Sequence, residues 1–480
     1  MAITGTAKVD MMGRSVKIEA EVLTLTKLLV AISFIVMLSL GSAMGDPLAA
    51  DGYVSLEDFS QIYDYIDKDN VKVKVKPGTF KLDRPQSEPL ISFSGSNNHF
   101  DLTGVNLIAD RPCNTIIALI GNNIILEGLH LETNESHDKC RKGLGTLGIN
   151  ITGNGNTLLN VSLLIQDSYP YGYGSMFGIG KGASVNLGKA ACVRVGAADG
   201  TVIKDCNIVM RAFGHGIFIR GADKTLIEGT TVEGELRQTD EILVEKTGTA
   251  AEEGFLDFAG AIIRPGKITS LAEDGIRIYS DSGSERNYNS ENGRKTGSVT
   301  VRNCTVKRMR RGICLALGGA DHLVEGCTVI ECARVGYNIG SGTIVKNCKG
   351  DAKYSQLLDI ASSNSKNSNV ELEVLDSRIR QGNSFENDPC LLAKVNGANH
   401  RLSIKPAAPD AVPSEMTIEI GGNVGWSSDS ESQPQGKSIR VSNETAAWVL
   451  LHPAATECAV ESVGAVVDYG DKNNTIITRK

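Results

Sequence analysis

The stretch Gly214-His215-Gly216-Ile217-Phe218-Ile219-Arg220-Gly221-Ala222-Asp223-Lys224-Thr225-Leu226-Ile227-Glu228-Gly229-Thr230-Thr231-Val232 decides how this chain is read. A glycine opens a short run of alternating apolar residues, a polar turn follows at 221–224, and two more short strands follow around Leu226-Ile227 and Thr230–Val232. Alternation with period two marks strands. The sentence recurs along the chain, and self-similarity of this kind marks a solenoid.

The copies align on a small or polar residue followed by two apolar positions: Gly104-Val105, Gly128-Leu129, Asn160-Val161, Asp205-Cys206, Gly229-Thr230, Asn303-Cys304, Gly326-Cys327 and Asn347-Cys348. Uninterrupted copies fall 21 to 24 residues apart, and three gaps are longer at 32, 45 and 74. The second residues of these pairs form one inward column, with neighbours about 4.8 Å apart. The expected fold is all-β, a right-handed single-stranded parallel β-helix of about ten rungs with an N-terminal capping helix.

The 480 residues are 41% hydrophobic and 5% aromatic, with 52 glycines. Such a composition suits a coil filled by stacked aliphatic side chains. A net charge of −7 argues against a nucleic-acid partner. It leaves room for an anionic ligand, because a local arginine cluster outweighs an average. Of the eleven cysteines, Cys206, Cys304, Cys327 and Cys348 fall in the inward column. Their parallel side chains do not suit a disulfide, so they read as small buried hydrophobes.

Lys27, the apolar run 28–40 and Gly41-Ser42-Ala43 describe a secretory signal peptide. Residues 1–45 are therefore expected to be signal and preceding segment, with cleavage near Met44–Pro47. The product is expected to be secreted or periplasmic, monomeric and free of the membrane. A retained anchor is the alternative, although the run is shorter than a span of about 20 residues. Residues 46–480 then form the β-helix, with irregular final coils from about 377; a separate C-terminal module is the alternative.

Residues 55–68 have helical spacing at Leu56, Phe59, Ile62, Tyr63 and Ile66, suited to covering the open end of a solenoid. Residues 71–75 alternate as a strand, and Lys76-Pro77-Gly78-Thr79-Phe80 reads as a turn. This helix, strand, turn and rung order resembles the right-handed parallel β-helix proteins of the pectate-lyase-like superfamily, from about Tyr53 to about Asp376. The resemblance implies the fold; the superfamily spans lyases, hydrolases, epimerases and adhesive proteins, so it transfers no catalytic residue.

Insertions collect on the working face of a solenoid. Residues 166–189, 235–273 and 281–297 all flank the sheet made by the opening strands. If Val193, Ile217, Ile276 and Ile313 point inward, Arg194, Phe218, Arg277 and Cys314 point out, with Arg220 and Tyr279 two positions on. Arginine holds a carboxylate or sulfate bidentately, and rings stack on sugar faces. The alternative is that these arginines tie down loops through Asp or Glu. His215, Asp274 and Arg311 occupy equivalent places before Gly216, Gly275 and Gly312 and suggest an acid/base unit, or a structural polar cluster of the turn.

The large insertion adds Lys246 and carboxylates for catalysis or for Ca²⁺, or is simply a solvated loop. Tyr171 and Tyr173 suggest a sugar-contacting lip, or a packed loop. The expected function is a polysaccharide lyase acting on an acidic, uronate-containing glycan. Arg194, Arg220 and Arg277 would neutralise the carboxylate, His215 or Lys246 would be the base, and Tyr279 the acid. Phe218 and Arg311 would bind substrate. Alternatives are a glycoside hydrolase using Asp274 with Asp240, Glu241 or Asp257, and a non-catalytic glycan-binding or adhesive solenoid.

Overall fold

In the computed structural model, the chain coils through short parallel strands from Val54 to Thr478. The structure describes residues 52–479 except 83–88, 110–112, 134–145, 167–189, 245, 248–250, 252–253, 256–261, 271, 280–293, 318–320, 379–382, 385–389, 423–434 and 471–472. The signal-peptide expectation for 1–45 lies outside the described residues. The opening strands stack into one 13-stranded sheet, from Ile91–Phe93 to Val466–Asp468. The coil is therefore longer than the expected ten or so rungs. The other two strands of each rung stack on the remaining faces in a 23-stranded set. Tyr53–Lys480 forms one compact unit, and the sheets continue unbroken through Leu391–Val395, Arg401–Pro406 and Thr475–Thr478. The fold is a parallel β-helix.

The repeat motif has a backbone cause. Gly104, Gly128, Asn160, Asp205, Gly229, Asn303, Gly326 and Asn347 all have φ between 52° and 81°. This left-handed conformation turns a sharp corner, and only Gly, Asn and Asp adopt it cheaply. Each corner throws the next residue inward. Val105, Leu129, Val161, Cys206, Thr230, Cys304, Cys327 and Cys348 are all at most 4% exposed. The column thiols donate to nearby carbonyls: Cys304 Sγ to Arg302 O at 3.2 Å and Cys348 Sγ to Lys346 O at 3.3 Å. All described cysteines are free thiols.

The N-terminal cap departs from the expected helix. Val54–Leu56 is a strand paired with Val73–Val75, and only Phe59–Asp64 is helical, as a 3₁₀ turn. Asp58 and Gln61 cap it reciprocally, and it ends at Tyr65. Leu56 is claimed by the sheet, which shortens the helix to the segment that packs Phe59 on Phe80, with ring centres 5.7 Å apart. The expected turn at 76–80 is also shorter: Gly78–Leu82 is a strand paired with Val105–Ala109.

Candidate functional site

A column of glycines fixes where the polar side chains of the opening-strand sheet go. A Cβ on Gly216 would lie 2.4 Å from Val232 Cγ1, on Gly275 2.3 Å from Val306 Cγ1, and on Gly312 2.3 Å from Val329 Cγ1. Valines from the third strand of each rung therefore fill the interior at these points. The residues before the glycines, His215, Asp274 and Arg311, face the other way. They are the first or second residues of strands Gly214–Arg220, Asp274–Tyr279 and Arg311–Cys314, not turn residues as expected.

These three do come together. His215 Nδ1 lies 3.5 Å from Asp274 Oδ2, and Arg311 Nε lies 2.9 Å from Asp274 Oδ1. The second pair is an electrostatic contact, since neither atom meets hydrogen-bond geometry. Arg277 Nη1 is 3.6 Å from Asp274 Oδ2. Glu273 closes the other side: its Oε2 is 3.5 Å from His215 Nε2, and its Oε1 is 3.4 Å from Arg310 Nη1. The imidazole thus sits between two carboxylates. His215, Glu273, Asp274, Arg277 and Arg310 are all at most 7% exposed.

The outward row has the expected register. Arg194 pairs with Phe218, Phe218 with Arg277, and Arg277 with Cys314, while Arg220 pairs with Tyr279. The Phe218 and Tyr279 rings meet edge to face at 5.1 Å, and Tyr279 lies 6.0 Å from His215. Arg277 donates to Cys314 Sγ, and Arg194 Nη1 donates to Asn150 Oδ1 at 2.8 Å. In both pairs the partner belongs to the sheet, not to an insertion loop.

Electrostatics separates the groups. Burial works against ionised Asp274, but Arg311, Arg277, His215 and Arg310 outweigh it and hold its carboxyl well below the usual range. Burial likewise opposes the Arg277 charge, yet Cys314, Tyr279, Asp274 and Glu273 push its pKa above the ordinary arginine value. Burial and the nearby Arg220 lower that of Arg194. Among the described residues of these rungs, the five guanidiniums of Arg194, Arg220, Arg277, Arg310 and Arg311 outnumber the carboxylates of Glu273 and Asp274, so this stretch of the floor is cationic.

Other expected residues lie elsewhere. Lys246 is exposed on the insertion beyond the helix Thr239–Leu243. Asp240 accepts from Gly266 N at 2.7 Å, and Glu241 is paired with Arg237 at 3.8 Å. These two carboxylates are engaged within the insertion. Tyr171, Tyr173 and Asp257 lie outside the described residues. Among the described residues no group of three or more His, Cys, Asp or Glu side chains could hold a metal ion.

Glu273 and Arg310 were not singled out from sequence. Each sits two residues before a column glycine, next to a residue that was, and that doublet is the signal that identifies them. Asn338 and Asp359 also join the outward row, through the register Cys314 to Asn338 to Asp359. The large insertion carries strands of its own. Leu236–Gln238 and Lys267–Ser270 pair with each other, and Lys267–Ile268 also pairs with Asn383–Ser384. A later segment thus joins that small sheet.

No known protein family's sequence profile matches the chain, and neither does any curated protein. Solved structures do resemble it. A PL6 alginate lyase in complex with a trisaccharide superposes with a TM-score of 0.48 at 14% identity, covering 90% of this chain and 85% of that one. The catalytic domain of a GH87 α-1,3-glucanase bound to tetrasaccharides gives 0.39 at 11%, covering 92% and 70%. The Streptococcus pneumoniae surface adhesin PfbA gives 0.36 at 10%, covering 85% and 89%.

Proposed function

We propose that this chain is an enzyme that cleaves an acidic, uronate-containing polysaccharide by β-elimination. The observation that carries the reading is His215 set between Glu273 and Asp274 beside the cationic floor of Arg277 and Arg311. Elimination begins with loss of the proton at C5, next to the uronate carboxylate. Arginines that neutralise that carboxylate stabilise the charge that builds there, an effect of about 2–4 kcal/mol per donor. His215 takes the proton in its unprotonated form, and the imidazolium so formed is stabilised by its two carboxylates. The electron pair of the broken C–H bond becomes the new C4–C5 double bond, and the C4–O bond breaks. Tyr279, 6.0 Å from His215 and partly exposed, supplies the proton to the leaving oxygen.

Hydrolysis by two carboxylates is less well supported. Beside the ionised Asp274 it needs a second carboxyl as the acid, and Asp240 and Glu241 are engaged within the insertion. The direct test is ultraviolet absorbance during incubation with a panel of polyuronates, because only elimination creates an unsaturated sugar. New reducing ends without that absorbance would indicate hydrolysis. Binding without either signal would indicate an adhesive solenoid. The apolar run 28–40 supports export as the working location.

A further inference from the structure

The outward row does not stop at the cationic cluster. From Arg277 it continues through Cys314, Asn338, Asp359, Lys394 and Glu419 on successive rungs. Polar contacts link its first members. Arg277 donates to Cys314 Sγ, Cys314 Sγ lies 3.0 Å from Asn338 Oδ1, and Asn338 Nδ2 donates to Asp359 Oδ2 at 3.3 Å. Arg277 and Asp359 are three strand spacings apart, about 14 Å, which is longer than one sugar ring. Asn383–Ser384, which pairs with the large insertion, precedes in sequence the strand Leu391–Val395 that carries Lys394.

The electrical character changes along the row. Among the described residues the floor around His215 carries five guanidiniums against two carboxylates. On the later rungs burial pushes the Asp359 carboxyl up against the opposing charges of Lys394, Arg334 and Arg311, and Lys394 stands between Asp359 and Glu419 in register. Asp359 Oδ1 has no hydrogen-bond partner among the described residues, although its other oxygen is used. A buried acceptor without a donor is costly, and a sugar hydroxyl would supply one. A second uronate there would instead meet carboxylates on two rungs.

We propose that Asn338, Asp359 and Lys394 form a subsite for an uncharged, hydroxyl-rich sugar unit, so that the substrate is a heteroglycan in which the uronate is joined to neutral sugars. The proposal rests on the elimination reading above and names its substrate class. Hydroxyls of the neutral unit donate to Asp359 and accept from Asn338 and Lys394. The acidic unit lies over Arg277 and Arg311.

The test compares the full chain with Asp359→Asn, which keeps the shape and removes the charge. Steady-state elimination is measured on homopolyuronates (alginate, polygalacturonate) and on polymers alternating uronate with an uncharged sugar (hyaluronan, unsulfated chondroitin). The lowest KM is expected on an alternating polymer. Asp359→Asn should raise that KM about tenfold and raise the homopolymer KM by a clearly smaller factor. A homopolymer with the lowest KM overturns the subsite, as does a variant that weakens both classes equally; either result leaves the elimination reading standing. If no polymer is eliminated, the elimination reading fails and calorimetric binding of hyaluronan decides the subsite. Binding weakened in the variant supports it; equal binding or none overturns it.

Discussion

The Arg277 guanidinium lies 4.5 Å from the centre of the Tyr279 ring. The two residues are neighbours on one strand, and both face the cleft beside Phe218. A guanidinium over a ring gains cation–π attraction and is fixed in its plane. Arg277→Lys keeps the charge and loses the planar fork. It should lower kcat/KM on the eliminated polymer by about 10²–10³-fold, with an unchanged melting temperature measured by circular dichroism.

His215→Ala should lower kcat by about 10²–10⁴-fold. Glu273→Gln should cost less, because Asp274 still faces the ring. Single-turnover rates at saturating polymer separate this from weaker binding. Full activity in His215→Ala would remove the residue from the mechanism.

Gly275→Ala tests the column that aims the polar residues. The added Cβ meets Val306 Cγ1 and the Gly312 carbonyl oxygen, at 2.3 Å and 2.9 Å. Overpacking of this sort costs about 1–3 kcal/mol. Activity should fall together with the melting temperature, and a companion Val306→Ala change should restore part of both.

Asp351 provides a pH test away from the cleft. Burial raises its carboxyl to about 6, against the opposing hydrogen bond from Glu331 N and the charge of Lys353. An acid with a raised folded pKa binds its proton more tightly when folded. Its contribution to stability is therefore present below about pH 4 and is lost as pH rises through about 6. Asp351→Asn should gain stability relative to the parent at pH 7 and show no gain near pH 4. Urea midpoints at the two pH values check it, and equal differences at both would contradict the assignment.

The coil was legible because its corners leave a residue signature. Asn160, Asp205, Asn303 and Asn347 stand where the backbone must turn left-handed, and alternation then gives the facing of each strand. The outward register of Arg194, Phe218, Arg277 and Tyr279 followed from the same alternation. What alternation cannot show is coverage: Arg277 reads as an outward residue yet is 5% exposed, held among Asp274, Cys314 and the Tyr279 ring. Helical spacing at Leu56 was misleading for a related reason. A strand neighbour, Val75, competed for that side chain. Asn338 and Asp359 went unnoticed since no insertion adjoins their strands in sequence, and only the register of the stacked strands puts them in line with Arg277.

One measurement bears most directly on elimination at this sheet: ultraviolet absorbance of the unsaturated product, followed over the polyuronate panel for the parent, His215→Ala, Arg277→Ala and Thr328→Ala. Thr328 lies on a strand of another face, paired with Thr305 and Lys349. The expected result is absorbance growth for the parent and Thr328→Ala, and loss of about 10²-fold or more for both cleft variants, with the β-sheet circular dichroism spectrum of each retained at the assay temperature. Full activity in both cleft variants, or reducing ends released with no absorbance, would contradict it.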